Sequence, residues 1–292
     1  MAQTRFDKNQ FQISSYFNNL KDKIWTYPEL SEVLNINHDK WNLPKSMQLK
    51  KFVPLLIEKT KMQVVDMNFP FYPTTRYVWD EKISIFALAA SINKKAYFSH
   101  LSAMYLHGLT INTPKEIYIN IEQKERPQSK MQLTQESIDK ALKNQPRVTK
   151  NFSEVNGYTI NLLNGKQTAN LGVVKKEIEG IGIVSLSNIE RTLIDIAVRP
   201  VYSGGVLNVL DAYKVSYGSV SIELIADYLS KINHKYPYHQ NIGFYLEKAG
   251  FAEETIAVLD KLKKEFTFYL DYRMKNPKFS KRWNLYYPDI IA

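Results

Sequence analysis

From Leu49 to Ile57 the apolar residues are Leu49, Phe52, Val53, Leu56 and Ile57, the i, i+3, i+4, i+7, i+8 stripe of one buried helical face. The period then changes. Met62 to Asn68 alternates as a strand does, Phe69 to Thr74 holds two prolines and must turn, and Thr75 to Trp79 returns as a partner strand. A helix joined so closely to a hairpin leaves few arrangements open.

Two more helices are expected upstream. Asn9 to Leu20 spaces Phe11, Ser15, Phe17 and Leu20 close to helical intervals. Ile24 to Tyr27 reads as a short extended piece. Pro28 suits a first helical turn, where its missing N–H costs nothing, and Glu29 suits the positive end of the helix dipole. Helix, helix, helix and hairpin within about 80 residues is the winged helix-turn-helix order. In that fold the third helix enters the major groove. Lys45, Ser46, Gln48, Lys50 and Lys51 at its start offer an amide for adenine edges and cations for phosphate or guanine, with Thr75 and Arg76 following the wing turn. Outward lysines are also what any amphipathic helix of a basic protein displays. Ser46 is the expected cap. Pro54 removes the bond to the Lys50 carbonyl at a cost of about 3 kcal/mol, so the helix is expected to kink there or to begin later than Ser46.

Past Glu81 a second core is expected. Ile83 to Ile92 is apolar nearly all round, Ser99 can cap a short helix, and Gly108 can end it. Ile117, Ile119 and Ile121 alternate in a strand. Residues 122–150 read as a Gln-rich surface excursion with a helix from Thr134 to Asn144. Arg147–Phe152, Tyr158–Leu163, Gly172–Ile178 and Ile181–Leu186 are further strand candidates. Ser187 with Glu190 spells a capping box, and Arg191 and Asp195 stand one turn apart, a pair worth tenths of a kcal/mol if exposed. Phe266–Tyr272 and Trp283–Tyr287 read as a last hairpin. The expected class is α+β, with a winged helix-turn-helix at 1–80 and a larger mixed α/β domain at 81–292.

The 292 residues exceed what one small core usually holds, in keeping with two domains. There are no cysteines, which excludes disulfides, Cys-ligated zinc, iron–sulfur clusters and a thiol nucleophile. Neither a membrane span nor a secretory leader is expected, and the chain is expected to work in the cytoplasm. Net charge is +10, which favours polyanionic partners. Residues 1–80 carry 11 basic against 8 acidic residues, and Lys261 to Arg282 carries eight against two. That last stretch is either a solvated surface or a phosphate-facing one.

Catalytic constellations are thin. His100 and His107 are seven apart with no carboxylate close in sequence, so structural histidines are expected rather than a metal site, and His234 and His239 are weaker candidates still. Glu122-Gln123-Lys124 spells the E-x-K half of a Mg²⁺-dependent nuclease, for which Glu116 is the only acid between residues 82 and 121. A nucleotidyltransferase needs a Gly-Ser turn followed by two metal-binding acids one residue apart. Gly218-Ser219 is followed by Asp227, but Leu229 stands at the partner position. Neither a Walker loop nor a G-x-S-x-G elbow occurs. No enzymatic activity, metal or cofactor is expected.

The segments AYFSHLSAMYLHGLT…PKEIYI, SLSNIERTLIDIAVRPVYSGG and YPYHQNIGFYLEKAGF resemble the AbiEi-type antitoxins of bacterial type IV toxin–antitoxin (abortive infection) systems. The resemblance covers most of residues 20–292 and is strongest at 96–121 and 185–251. The sequence departs from the pattern at Pro54 and over Trp41 to Lys45. The resemblance implies an N-terminal winged helix-turn-helix joined to an α/β antitoxin domain. It also implies repression of the chain's own operon through double-stranded promoter DNA, and neutralisation of a nucleotidyltransferase toxin. A Mg²⁺-dependent nuclease using Glu116, Glu122 and Lys124, and a DNA-binding regulator with a ligand-sensing C-terminal domain, are the alternatives.

Overall fold

Thr4 opens the first helix of the computed structural model, which describes residues 3–80, 82–124 and 132–291. Residues 125–131, including Gln128 of the expected surface excursion, lie outside the described residues. α1 (Arg5–Asn19) begins earlier than its apolar spacing suggested, because Thr4 and Asp7 form a reciprocal capping box. Its buried face is Phe6, Ile13 and Phe17, while Phe11 points to solvent. β1 (Ile24–Trp25) leads into α2 (Tyr27–Asn37), capped in the same way by Thr26 and Glu29.

α3 (Leu49–Lys59) starts later than Ser46, at the residue after Gln48, and runs on through Pro54. Pro54 lies on the exposed side, so the Lys50 carbonyl it cannot reach faces water rather than the core. β2 (Gln63–Met67) pairs antiparallel with β3 (Thr74–Val78) in the register Met67↔Thr74 to Gln63↔Val78, and β1 joins the other side of β3. Beneath lies an aromatic core: Phe17 stacks on Trp79 at 4.7 Å and Trp41 on Phe52 at 5.8 Å. Each such pair adds about 0.5–1.5 kcal/mol beyond its buried area. Trp41, which looks like a loop residue in the sequence, is therefore a core residue.

α4 (Ile85–Ala90) is shorter than the apolar run and does not open a second core. The chain divides into two compact units, residues 1–94 with 152–157, and residues 95–151 with 158–292. The expected boundary near Asp80 falls inside the first unit. Arg76 of β3 reaches Ser91 and Ile92 just past α4 and ties that helix to the hairpin, and Lys94 pairs with Glu29 of α2.

The second unit begins with β4 (Tyr97–Phe98), α5 (His100–Leu106) and β5 (Glu116–Glu122). α6 (Gln135–Lys143) follows, capped by Thr134. Arg147–Phe152 is not a strand; the strand there is β6 (Phe152–Val155), which belongs to the first unit. β7 (Tyr158–Gly165), β8 (Val173–Ile178) and β9 (Gly182–Ser187) complete a mixed sheet ordered β7-β5-β4-β9-β8 in this unit. β5 runs parallel to β7, and β4 parallel to β9.

Five helices then build the larger core: α7 (Ile189–Val198), α8 (Val206–Val215), α9 (Ile222–Ile232), α10 (Tyr238–Lys248) and α11 (Glu253–Asp260). Leu193, Val209, Ile225, Ile242, Leu246 and Leu259 meet at its centre. The expected Ser187–Glu190 capping box does not form. Asn188 caps α7 by accepting from the Arg191 N–H, the Ser187 hydroxyl meets that of Thr192, and Glu190 turns away to the Ser221 N–H. The last hairpin is also rearranged. β10 (Phe268–Tyr269) and β12 (Leu285–Tyr287) are parallel, and the antiparallel partner of β12 is β11 (Lys278–Ser280). Among the described residues no helix is long and apolar enough to cross a membrane.

Candidate nucleic-acid interface

The candidate surface is the start of α3. Phe52, Val53 and Leu56 anchor one side of this helix in the aromatic core, which fixes the other side outward. Lys50 and Lys51 occupy the exposed part of its first turn. Gln48 stands at the N-cap in extended conformation, yet its side chain caps nothing and no acid lies in that turn. Neighbouring α1 and α2 each have a threonine cap and an acid at the same place. A helix start with no side-chain cap beside two ammonium groups is a local excess of positive potential, a setting that favours an anion. Lys45 and Ser46 are exposed but sit in the turn ahead of the helix, closed by the Met47 N–H donating to the Pro44 carbonyl. Ser46 is thus not the cap. At the far end of α3, Lys59 is spent on Asp7 of α1, a contact that holds the Asp7 carboxyl down at about 2.

Two predicted contacts on the hairpin are redirected. Arg76 is 8% exposed and gives its donors to Thr75 O (2.8 Å), Ser91 O (2.6 and 3.1 Å), Ser91 Oγ (3.2 Å) and Ile92 O (2.9 Å). Burial lowers its pKa, but an arginine so held keeps its charge, and that charge answers the carbonyl end of α4 rather than a phosphate. Thr75 is exposed, but its hydroxyl donates to Asp66 at 2.6 Å, so the strands carry a carboxylate where a phosphate contact was expected. Sequence reasoning treated Phe69–Thr74 only as a turn. It missed that Phe71 and Tyr72 stand 68% and 73% exposed at its tip. The signal was available, since Phe-Tyr between two prolines has no neighbours at helical or strand spacing to bury it.

The nuclease residues are not assembled. Glu116 and Glu122 are six residues apart on one straight strand, about 20 Å at the strand rise, too far to share a metal ion. Glu116 accepts from the Tyr118 hydroxyl. Glu122 accepts from the Thr168 N–H at 2.8 Å, the Thr168 hydroxyl and the Asn170 N–H at 3.2 Å, fastening the loop after β7. Lys124 is exposed. The same loop is held from α7: Arg191 donates to Asp195 at 2.9 Å, to the Thr168 hydroxyl at 3.2 Å and to the Leu171 carbonyl at 2.8 Å. This pair is buried, not the exposed one considered from spacing. It stitches a helix to a sheet loop.

The histidines are built into the second unit. His107 Nε2 lies 2.7 Å from the Ser187 carbonyl, and His100 Nδ1 lies 2.9 Å from the Ser99 hydroxyl, which therefore does not cap α5. Burial pulls His100 and His234 down to about 4. Among the described residues no group of three His, Cys, Asp or Glu could hold a metal ion. In the basic stretch Lys261 to Arg282, Lys263 pairs with Glu265, Lys264 with Asp260, Lys278 with Asp289, and Arg282 with Glu253 and Asp260. Among the described residues four of its eight cations are answered locally, which weakens the phosphate-facing alternative.

No family model and no curated protein matches the sequence. In fold, the structure is similar to that of the RV2827C protein from Mycobacterium tuberculosis, at a TM-score of 0.65, covering 98% of this chain and 93% of the other. The two chains are 13% identical.

Proposed function

We propose that the chain is a DNA-binding antitoxin of the AbiEi type. The first unit is then a winged helix-turn-helix that represses the chain's own operon, and the chain neutralises a cognate nucleotidyltransferase toxin in the cytoplasm. The observation that carries the DNA reading is the uncapped, acid-free start of α3 with Lys50 and Lys51 exposed, in a unit where α1, α2 and α3 accompany an antiparallel sheet ordered β1-β3-β2. For the second unit the reading rests on the sequence resemblance at 96–121 and 185–251.

Because residues 152–157 return to the first unit, the two functions are best separated by point changes in the full chain. Lys50→Ala/Lys51→Ala should lower the slope of log affinity against log salt by about 0.9 for each phosphate left without its cation, about 2 for the pair. It should release a promoter reporter from repression and still protect cells from the toxin. Promoter binding equal to wild type at every salt concentration would refute the interface.

A ligand-sensing regulator is the second reading. One pocket favours it, an open space of about 570 Å³ in the second unit lined by Gln145, Val148, Val201, Gly205, Asp271 and Arg273 among others, within the size range of small-molecule sites. A nucleotidyltransferase gene directly downstream would favour the antitoxin over this alternative.

A further inference from the structure

The hairpin tip between β2 and β3 has no place yet in the proposed interface. From Met67 to Thr75 the sequence Met-Asn-Phe-Pro-Phe-Tyr-Pro-Thr-Thr carries no charge, and Arg76 and Thr75 are already bonded within the unit. A tip of this kind cannot clamp phosphates. It is nonetheless built to hold its shape. Phe69 is buried and its N–H donates to the Met67 carbonyl at 3.0 Å, while the Thr74 hydroxyl donates to the Tyr72 carbonyl at 3.0 Å. Pro70 and Pro73 fix φ on either side of Phe71-Tyr72. Two large rings are thus presented to solvent by a short, stiff loop, so little conformational entropy remains to be lost when they are engaged.

The geometry points to an apolar wedge. Resting on the DNA-binding reading above, the inference is that Phe71 and Tyr72 enter the minor groove of duplex DNA and insert at a base step, while the start of α3 engages phosphates and bases. Rings at a groove edge partly unstack a step and kink the duplex by about 20–90° toward the major groove, and pyrimidine–purine steps such as TA yield most easily. Two observations favour DNA over a protein or a membrane as the occupant. The tip belongs to the same unit as Lys45, Lys50 and Lys51, whose turn and first helical turn contain no acid, so that unit supplies counter-charge for a polyanion, while Asp66 at the base of the tip accepts from the Thr75 hydroxyl. The tip itself has no charge to desolvate on entering a groove. Such a wedge would read deformability, giving sequence preference at a step that receives no hydrogen bond.

The test uses the full-length protein and a duplex carrying its own promoter, with dyes at both ends and 2-aminopurine in place of adenine at the TA steps. Wild type should bring the ends closer and brighten 2-aminopurine at one step. Phe71→Ala/Tyr72→Ala, whose rings support no core, should keep the wild-type circular dichroism and melting temperature. It should bind about tenfold more weakly, with an unchanged salt slope because no cation is removed, and leave the duplex straight. Lys50→Ala/Lys51→Ala should do the reverse, reducing the slope. Binding and bending by the ring-less variant equal to wild type would overturn the wedge, as would wild-type binding to a straight duplex. Intact DNA binding with loss of toxin protection or of vesicle binding would assign the rings to a protein or a membrane instead. Failure of wild type to bind the promoter at all would refute the DNA reading itself, and the wedge with it.

Discussion

Replacing Arg76 separates a structural cation from a DNA-binding one. In the wild type its guanidinium satisfies three backbone carbonyls, those of Thr75, Ser91 and Ile92, and meets the Ser91 hydroxyl, all within 3.2 Å. Arg76→Met keeps most of the aliphatic stem and removes every donor. A hydrogen bond to a charged group is worth about 1.5–3 kcal/mol, and an orphaned buried carbonyl costs about 1–3 kcal/mol. Some of these carbonyls will reach water as α4 loosens, so the three together should cost about 3–5 kcal/mol rather than the full sum. Intrinsic fluorescence is a suitable probe, since Trp25, Trp41 and Trp79 lie in the first unit's core and only Trp283 lies in the second. The first transition in urea should move to lower denaturant with the second unmoved. At temperatures where the variant is folded, the salt slope of promoter binding should equal that of wild type. A variant of wild-type stability whose salt slope has dropped by about 0.9 would return Arg76 to the phosphate surface and refute the clamp.

Three other outcomes are expected. Gly243→Ala in α10 would drive a Cβ into the buried Trp283 ring, so the second unit should lose about 3 kcal/mol or fail to fold, and Trp283→Phe should restore part of the loss; wild-type melting of Gly243→Ala would contradict the packing. Unfolded histidine takes a proton near pH 6.5, whereas native His100 and His234 do so only near 4, so stability should fall as pH drops through that window by up to about 1.4 kcal/mol per unit for each. His100→Gln should flatten that curve, and an unchanged pH dependence would count against the burial. Glu122→Gln should loosen residues 168–170, seen as faster amide exchange there, without changing repression or toxin protection; Mg²⁺-dependent DNA cleavage lost in this variant would revive the nuclease.

Periodicity alone located most of the elements here, while the caps expected at Ser46, Ser99 and Ser187 were not the ones used. The stripe Leu49–Leu56, the alternation on both sides of Phe69–Thr74 and the positive φ at Gly108 are consequences of interactions spanning four residues or fewer, which a linear sequence displays directly. The charge excess and the lack of cysteine were equally plain. What the tertiary structure decided are choices among chemically equivalent partners. Asn188 rather than Ser187 caps α7, although both residue types suit the position, because the Ser187 hydroxyl is taken by Thr192. Strand β12 takes one parallel and one antiparallel neighbour, which alternation cannot distinguish. Arg76 looks the same in sequence whether it meets a phosphate or the carbonyl of a residue 15 positions away. The bonds from Arg76 to Ser91 and Ile92, with the Lys94–Glu29 ion pair, tie residues 91–94 to the first unit, which runs to Lys94 and not to Asp80. Side-chain type fixes what a residue can bond to. Which partner it finds depends on what chain closure over tens of residues brings within 3 Å, and spacing along the sequence does not contain that distance.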